Sequence, residues 1–243
     1  QGADENNSEL KEISTRIKKE CLWLNDYIKN KALHFLNKNK TVGLIGGDHS
    51  TPLGLMQALS EKYGKFTILQ IDAHADLRNA FEGFEFSHAS IMYNALKIKE
   101  VEKIVQVGIR DYCEEELNLI NTSNGRIKTF FDRDIKYALF NGDSWDRICN
   151  RIIKELPQAI YLSFDIDGLD PKLCPNTGTP VAGGFETEQV LYLLEKIIKS
   201  GRTILAFDIN EVCPGPDGDD WDANVAARLL FRISNLVNLS QNK

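Results

Sequence analysis

Hydrophobic residues recur at helical intervals near the start of the chain: Leu10, Ile13, Ile17, Leu24 and Ile28, with Lys and Glu between them. This spacing predicts a long amphipathic helix over residues 9–38, with Trp23 and Tyr27 read as core contacts rather than a binding box. Beyond it the pattern changes. Six short runs rich in Val, Ile and Phe occupy 41–45, 66–71, 103–107, 128–131, 160–164 and 203–207. They are nearly continuously apolar, as strands covered on both faces of a parallel sheet would be. Helical patterns lie between them at 52–63, 89–99, 114–121, 144–156, 187–200 and 223–236. Strand and helix in alternation predict a doubly wound α/β sheet. No repeat, low-complexity tract or linker interrupts the pattern, so residues 1–243 are expected to form a single domain.

Polar residues gather where four of the six strand runs end. The first leads into Gly-Gly-Asp-His-Ser (46–50), the second into Asp-Ala-His-Ala-Asp (72–76), the fifth into Asp-Ile-Asp-Gly-Leu-Asp-Pro (165–171), and the sixth into Asp-Ile-Asn-Glu (208–211). Open α/β sheets bind ligands at the carboxyl ends of their strands, so four strands deliver Asp, His and Glu to one edge. Asp72, His74 and Asp76 are spaced by two, as are Asp165 and Asp167. If extended geometry persists, each set shares a face. Four carboxylates packed together without compensation would repel one another and resist desolvation. Cations among them resolve the conflict. With His49 the donors number six, four Asp and two His, more than one ion needs while leaving room for substrate. Two ions with shared carboxylates fit better. Oxygen donors with a minority of imidazole, and no cysteine, favour a harder ion than thiolate zinc, manganese first. Two divalent ions bring +4 against −4 from the aspartates, and a shared hydroxide leaves a site suited to a cationic substrate. Taken singly, each motif has a plainer reading: a DxD can be a turn, Asp170 a turn former before Pro171, and Asp48 and Asp208 capping or supporting residues. Two of only four histidines in these clusters make the conjunction informative.

Composition narrows the class further. Lys and Arg total 29 against 35 Asp and Glu, a net charge of −6, with no basic stretch to suggest a nucleic-acid partner. No apolar run approaches the roughly 18 residues of a membrane span. The five cysteines are scattered, with no CxxC, which reads as reduced thiols in a cytoplasmic protein.

Together the four motifs resemble the ureohydrolase family, which includes arginase and agmatinase, in order and approximate separation from about residue 42 to 230. The resemblance implies a three-layer α/β/α sandwich with a mainly parallel sheet, a binuclear manganese cluster and a homo-oligomer, trimer or hexamer. One ion would take His49, Asp72, Asp76 and Asp165, the other Asp72, His74, Asp165 and Asp167, with Asp72 and Asp165 bridging. Glu211 would pair with the substrate's guanidinium, and His88, which could otherwise cap a helix, would shuttle protons. The segment 77–90 looks like agmatinase: Arg78 stands where arginase-like members place the asparagine that reads the amino-acid carboxylate. Arg78 could still meet the carboxylate of a guanidino acid. The expected reaction is agmatine to putrescine and urea, a step of polyamine biosynthesis, with arginase and guanidinobutyrase activities as alternatives. Remoter alternatives are a deacetylase-like amidohydrolase, a two-metal phosphatase and a non-catalytic relative. Family members carry more chain before the first motif than the 45 residues here, including an initial strand and an arginine-bearing helix; if the protein is without that segment, an edge of the sheet and some subunit contacts would differ. Gln189, with Glu188 beside it, stands where the family has a glutamate, so a supporting salt bridge is expected to be altered.

Overall fold

The computed structural model describes residues 8–242; the polar start of the chain, 1–7, lies outside the described residues. A 29-residue helix α1 (Ser8–Leu36) precedes β1 (Val42–Ile45), α2 (Leu53–Tyr63) and β2 (Phe66–Ile71). A 3-10 turn (His88–Ser90) runs into the short α3 (Ile91–Ala95), followed by β3 (Val101–Ile109), α4 (Glu114–Thr122), β4 (Ile127–Phe131), α5 (Asp132–Phe140) and α6 (Trp145–Lys154). The chain continues as β5 (Ala159–Asp165), α7 (Thr187–Lys199), β6 (Thr203–Asn210) and α8 (Trp221–Gln241).

The six strands form one sheet in the order β1-β6-β5-β2-β3-β4, and every pairing is parallel. Alternate residues of β2, β3 and β5 enter separate cores. Ile68, Ile104 and Tyr161 pack toward α1, α2 and α3, while Leu69, Val105 and Leu162 pack toward α6, α7 and α8. The result is the three-layer α/β/α sandwich. All six residues of β2 are buried, whereas β1 at the sheet edge alternates between half-buried and exposed positions. α7 shows how sequence sets its face: Val190, Leu191, Leu194, Ile197 and Ile198 recur at three- and four-residue intervals and are buried.

Helix α1 corrects one reading. Trp23 is 61% and Tyr27 48% exposed, their rings stacked on each other at 5.5 Å. The stripe that reaches the core instead runs through Asn25, Ile28, Ala32 and Leu36. It crosses α2 at Gly54, where a Cβ would stand 2.3 Å from the Asn25 carbonyl, so glycine permits the close approach. Helix α5 was not anticipated, and the helix expected over 89–99 is only a 3-10 turn and five residues. Among the described residues no helix is long and apolar enough to cross a membrane.

Candidate metal centre

The motifs at the ends of β1, β2, β5 and β6 converge as the parallel topology requires. Gly46 donates to Ile209 O at 3.1 Å, which docks the end of β1 beside β6. A side chain at Gly46 would collide with Asn210 and Thr51, so the turn that aims His49 inward depends on glycine there. His49 is buried, its Nδ1 3.1 Å from Asp72 Oδ2, 3.1 Å from Asp76 Oδ2 and 3.3 Å from Asp165 Oδ2. On the far side of the ring, Nε2 lies 2.8 Å from Ser163 Oγ, and that hydroxyl donates to Asp208 Oδ1 at 3.1 Å. Asp208 also accepts from the Tyr161 hydroxyl, Phe164 N and Asn210 Nδ2. Because Ser163 gives its proton to Asp208, it accepts from His49, which places a proton on Nε2 and makes Nδ1 the nitrogen turned toward the carboxylates and open to an ion.

A second group lies across Asp72. Asp72 Oδ1 accepts from His74 N at 2.6 Å, and His74 Nδ1 stands 2.9 Å from Asp167 Oδ2. Asp167 Oδ1 accepts from Ala73 N at 3.0 Å, while Asp165 Oδ1 accepts from Asp167 N at 2.9 Å. His49, Asp72 and Asp165 bring ligand atoms within 4.8 Å of one another, and so do Asp72, His74 and Asp167. Asp72 belongs to both sets. All six predicted donors therefore meet in one place, but strand alternation is not what brings them together. Extended structure ends at Ile71; Asp76 adopts a left-handed φ of 55°, and Asp167 sits in a 3-10 turn. Such a conformation in a non-glycine residue costs free energy and persists where surrounding structure holds it. Here Met92 and Tyr93 amides donate to the Asp76 carbonyl.

The donors fit divalent ions. His49 Nδ1 and Asp167 Oδ2 are buried without a hydrogen bond, and each faces the cluster. Burial disfavours charge on Asp76, and Asp72's charge adds to it, raising the carboxyl to about 7. Burial opposes charge on His74, but Asp167 and Asp72 overcome it and lift the imidazole to about 11. In His49 the carboxylates of Asp165, Asp72 and Asp76 likewise outweigh burial and raise it well above its ordinary value. Asp76 and Asp165 are pushed toward protonation while both imidazoles are pushed toward charge, the pattern of an acidic cluster that a cation would relieve.

The other predicted residues surround this cluster. Glu211, also left-handed at φ 62°, accepts from His49 N through Oε1 at 2.8 Å, and Thr177 Oγ1 donates to its carbonyl. Burial raises its carboxyl, against the opposing pull of His49 and His88. His74, Asp76, Arg78, His88, Asp111 and Tyr112 line a cavity of about 160 Å³. In its wall the Arg78 guanidinium lies over the Phe81 ring at 5.3 Å, and His88 meets that ring edge-on at 5.6 Å. The helix-capping role open to His88 falls to Ser87, whose hydroxyl accepts from Ala89 N. Asp48 accepts from Ser50, and Asp170 from Lys172 N, both within their own turns. Gln189 accepts from Glu186 N at the start of α7, and Glu188 pairs instead with Arg232 at 3.2 Å.

Sequence reasoning missed several supports. Buried Glu116 of α4 accepts from Leu77 N and Cys113 N and lies 3.8 Å from Arg78 Nε. Arg110 donates to the carbonyls of Asp167, Leu169 and Val181, fastening one donor loop to the chain beyond it. Tyr161 and Ser163 were hidden in an apolar strand. Their polar character was the available signal.

Residues 5–234 match the model of the Arginase family. The chain is 34% identical over 215 residues to N(1)-aminopropylagmatine ureohydrolase of Thermus thermophilus, covering 87% of this chain and 68% of that one. It is 31% identical over 218 residues to agmatinase of Cronobacter sakazakii, covering 86% and 64%. Its fold matches the crystal structure of arginase from Bacillus cereus with a TM-score of 0.75 at 23% identity, over 90% of this chain and 78% of that one. The chain belongs to the arginase family. Within it, the chain is a hydrolase of the arginase/agmatinase type, which cleaves guanidino groups.

Proposed function

We propose that the protein hydrolyses a small cationic guanidino compound to an amine and urea, with agmatine, giving putrescine, as the first candidate. The observation that carries this reading is the pair of donor sets sharing Asp72, with Glu211 held beside them by His49 N. His49, Asp72, Asp76 and Asp165 would hold one ion, and Asp72, His74, Asp165 and Asp167 the other, manganese first given the oxygen-rich set. Ions held there would lower the pKa of a bound water and supply a nucleophile near neutral pH. The chain does the rest. Glu211 Oε1 is fixed by a backbone amide, which leaves Oε2 to hold the guanidinium by charge-assisted hydrogen bonds. That grip aims the guanidinium carbon at the cluster. Asp167, whose Oδ2 stands 2.9 Å from His74 Nδ1 within the cluster, would accept a hydrogen bond from the reacting centre. Asp76 and then His88, both on the cavity wall, carry a proton to the departing amine.

Arg78 supports a second reading. A cation in the cavity wall favours a guanidino acid such as guanidinobutyrate, whereas its pairing with Glu116 at 3.8 Å offsets that charge and favours agmatine. The scattered free cysteines support a reduced, cytoplasmic setting, and a homo-oligomer is the assembly we propose. Urea release from agmatine, arginine, guanidinobutyrate, guanidine and aminopropylagmatine after manganese loading tests the assignment. Preference for guanidinobutyrate or arginine overturns agmatine alone; no urea from any of them, with both ions bound, overturns the activity.

A further inference from the structure

Beneath the donor cluster the sheet carries a second polar layer. Strand register pairs Thr129 of β4 with Gln106 of β3, Gln106 with Gln70 of β2, Gln70 with Ser163 of β5, and Ser163 with Asp208 of β6. Five polar side chains thus form one row across five strands, and all but Thr129 are fully buried. A primary amide buried among Ile and Leu is unfavourable unless its donors and acceptor are engaged. Here they are. Thr129 Oγ1 donates to Gln106 Oε1 at 2.7 Å; Gln106 Nε2 donates to Gln70 Oε1 and to the Ala75 carbonyl, both at 2.7 Å. Gln70 Nε2 donates to Asp72 Oδ2 at 2.8 Å and to the His74 carbonyl at 3.2 Å.

The direction of this chain is forced. An ionised carboxylate only accepts, so the Gln70 atom facing Asp72 is nitrogen. Gln70 Oε1 then faces Gln106, which must present its own nitrogen, and Gln106 Oε1 is left for the Thr129 hydroxyl. Each oxygen of Asp72 consequently receives one internal hydrogen bond, Oδ2 from Gln70 and Oδ1 from His74 N. The remaining lone pairs point to different sides: Oδ2 lies 3.1 Å from His49 Nδ1, and Oδ1 lies 3.7 Å from His74 Nδ1.

We propose that Gln70, held by Gln106, is a positioning residue that makes Asp72 the shared ligand of the two donor sets. It commits one oxygen to each set before any ion arrives. The inference rests on the reading that divalent ions bind here, and supporting hydrogen bonds of this kind are worth about 10- to 100-fold in metal affinity.

Mn2+ titration of the full chain, followed by calorimetry and by the electron paramagnetic resonance of free Mn2+, tests it. Gln70→Met keeps length and volume but removes the donor, and should weaken Mn2+ binding by about 10- to 100-fold. Gln106→Met leaves Gln70 present but free to turn, and should weaken binding by a smaller factor. Ile104→Val, a buried substitution on the same sheet face outside the row, is the control for lost packing and should leave affinity within about threefold. If Gln70→Met does not fold by circular dichroism, Gln106→Met decides. Folded Gln70→Met and Gln106→Met that bind Mn2+ like wild type overturn the inference alone. Loss of affinity in Ile104→Val equal to that in Gln70→Met reduces Gln70 to a packing residue and overturns it too. A wild-type chain that binds no Mn2+ overturns the metal reading and this inference with it.

Discussion

Ser163→Ala isolates the other arm of the polar row. The substitution removes the one atom that accepts from His49 Nε2 at 2.8 Å, and Ser163 is fully buried, so bulk water does not replace it. Asp208 is little affected, since Tyr161, Phe164 N and Asn210 still donate to it. The cost falls on His49. In the metal-free chain its ring has Asp72, Asp76 and Asp165 as partners at 3.1 to 3.3 Å, so a ring that loses Ser163 can turn toward them. Once an ion takes Nδ1, that freedom is gone and Nε2–H is left as a buried donor with no acceptor nearer than Asp208 Oδ1 at 3.8 Å, too far for a hydrogen bond. Such a donor costs about 1 to 3 kcal/mol. At about 1.4 kcal/mol per decade, the expected loss of Mn2+ affinity is about 5- to 150-fold. Calorimetry reads it directly. Thermal unfolding reads it a second way, because stabilisation by a bound ligand shrinks by about 1.4 kcal/mol for each tenfold loss of affinity. A folded Ser163→Ala protein whose Mn2+ affinity stays within about threefold of wild type refutes the argument that Ser163 orients His49.

Much of the fold could be read from the chain because its strands are short, apolar and buried on both faces. Each expected strand lies within three residues of an observed one at either end. Helix α5 escaped because it is only nine residues long, and its one core stripe, Ile135, Ala138 and Leu139, spans a little over a turn with Ile135 alone fully buried. Trp23 and Tyr27 misled for the opposite reason: large apolar side chains on an amphipathic helix need not face the core, since much protein surface is apolar.

The six donors were legible because chemistry wrote them into motifs at strand ends. The residues that orient them were not, because their meaning is non-local. Gln70, Gln106 and Ser163 each look like a single flaw in an apolar run until register places them side by side. Glu116 reads as one of three consecutive glutamates, and only the fold shows that it alone turns inward to clamp Leu77 N. The left-handed turn at Asp76 was likewise invisible, since nothing in Asp-Ala-His-Ala-Asp marks where extended structure stops.

Replacing Asp165, which faces His49 at 3.3 Å and accepts from Asp167 N, by Ala should abolish activity and reduce manganese to at most one ion per chain by elemental analysis; two ions retained would dismiss its role in the cluster. His88→Ala should keep metal yet lower turnover by about 10²- to 10⁴-fold, and unchanged kcat would make His88 structural. His74, lifted to about 11, is charged at pH 7 in the metal-free chain, Asp76 near 7 is half protonated, and the carboxylates push His49 toward its charged form. Metal ligation requires the bare forms, so loading at pH 7 should expel more than one proton, read by calorimetry in buffers of different ionisation heat. Fewer than one would contradict the assignment. The same ion pairs stabilise the metal-free fold: His74's share is complete below its ordinary 6.5 and is lost as pH rises through about 11. The last prediction concerns Glu211. His49 N holds one of its oxygens, and the other is left for the substrate cation. Glu211→Gln keeps the shape and an acceptor oxygen but removes the charge, so it should retain both manganese ions while losing most of kcat/KM for agmatine. A hydrogen bond to a charged group is worth about 1.5 to 3 kcal/mol, which sets the expected loss near 10- to 150-fold. Because Glu211 also steadies the turn that presents His49, metal content must be measured on the same sample. Full manganese with wild-type kcat/KM would mean that the guanidinium is held elsewhere, and Asp111 on the cavity wall would be the next carboxylate to test.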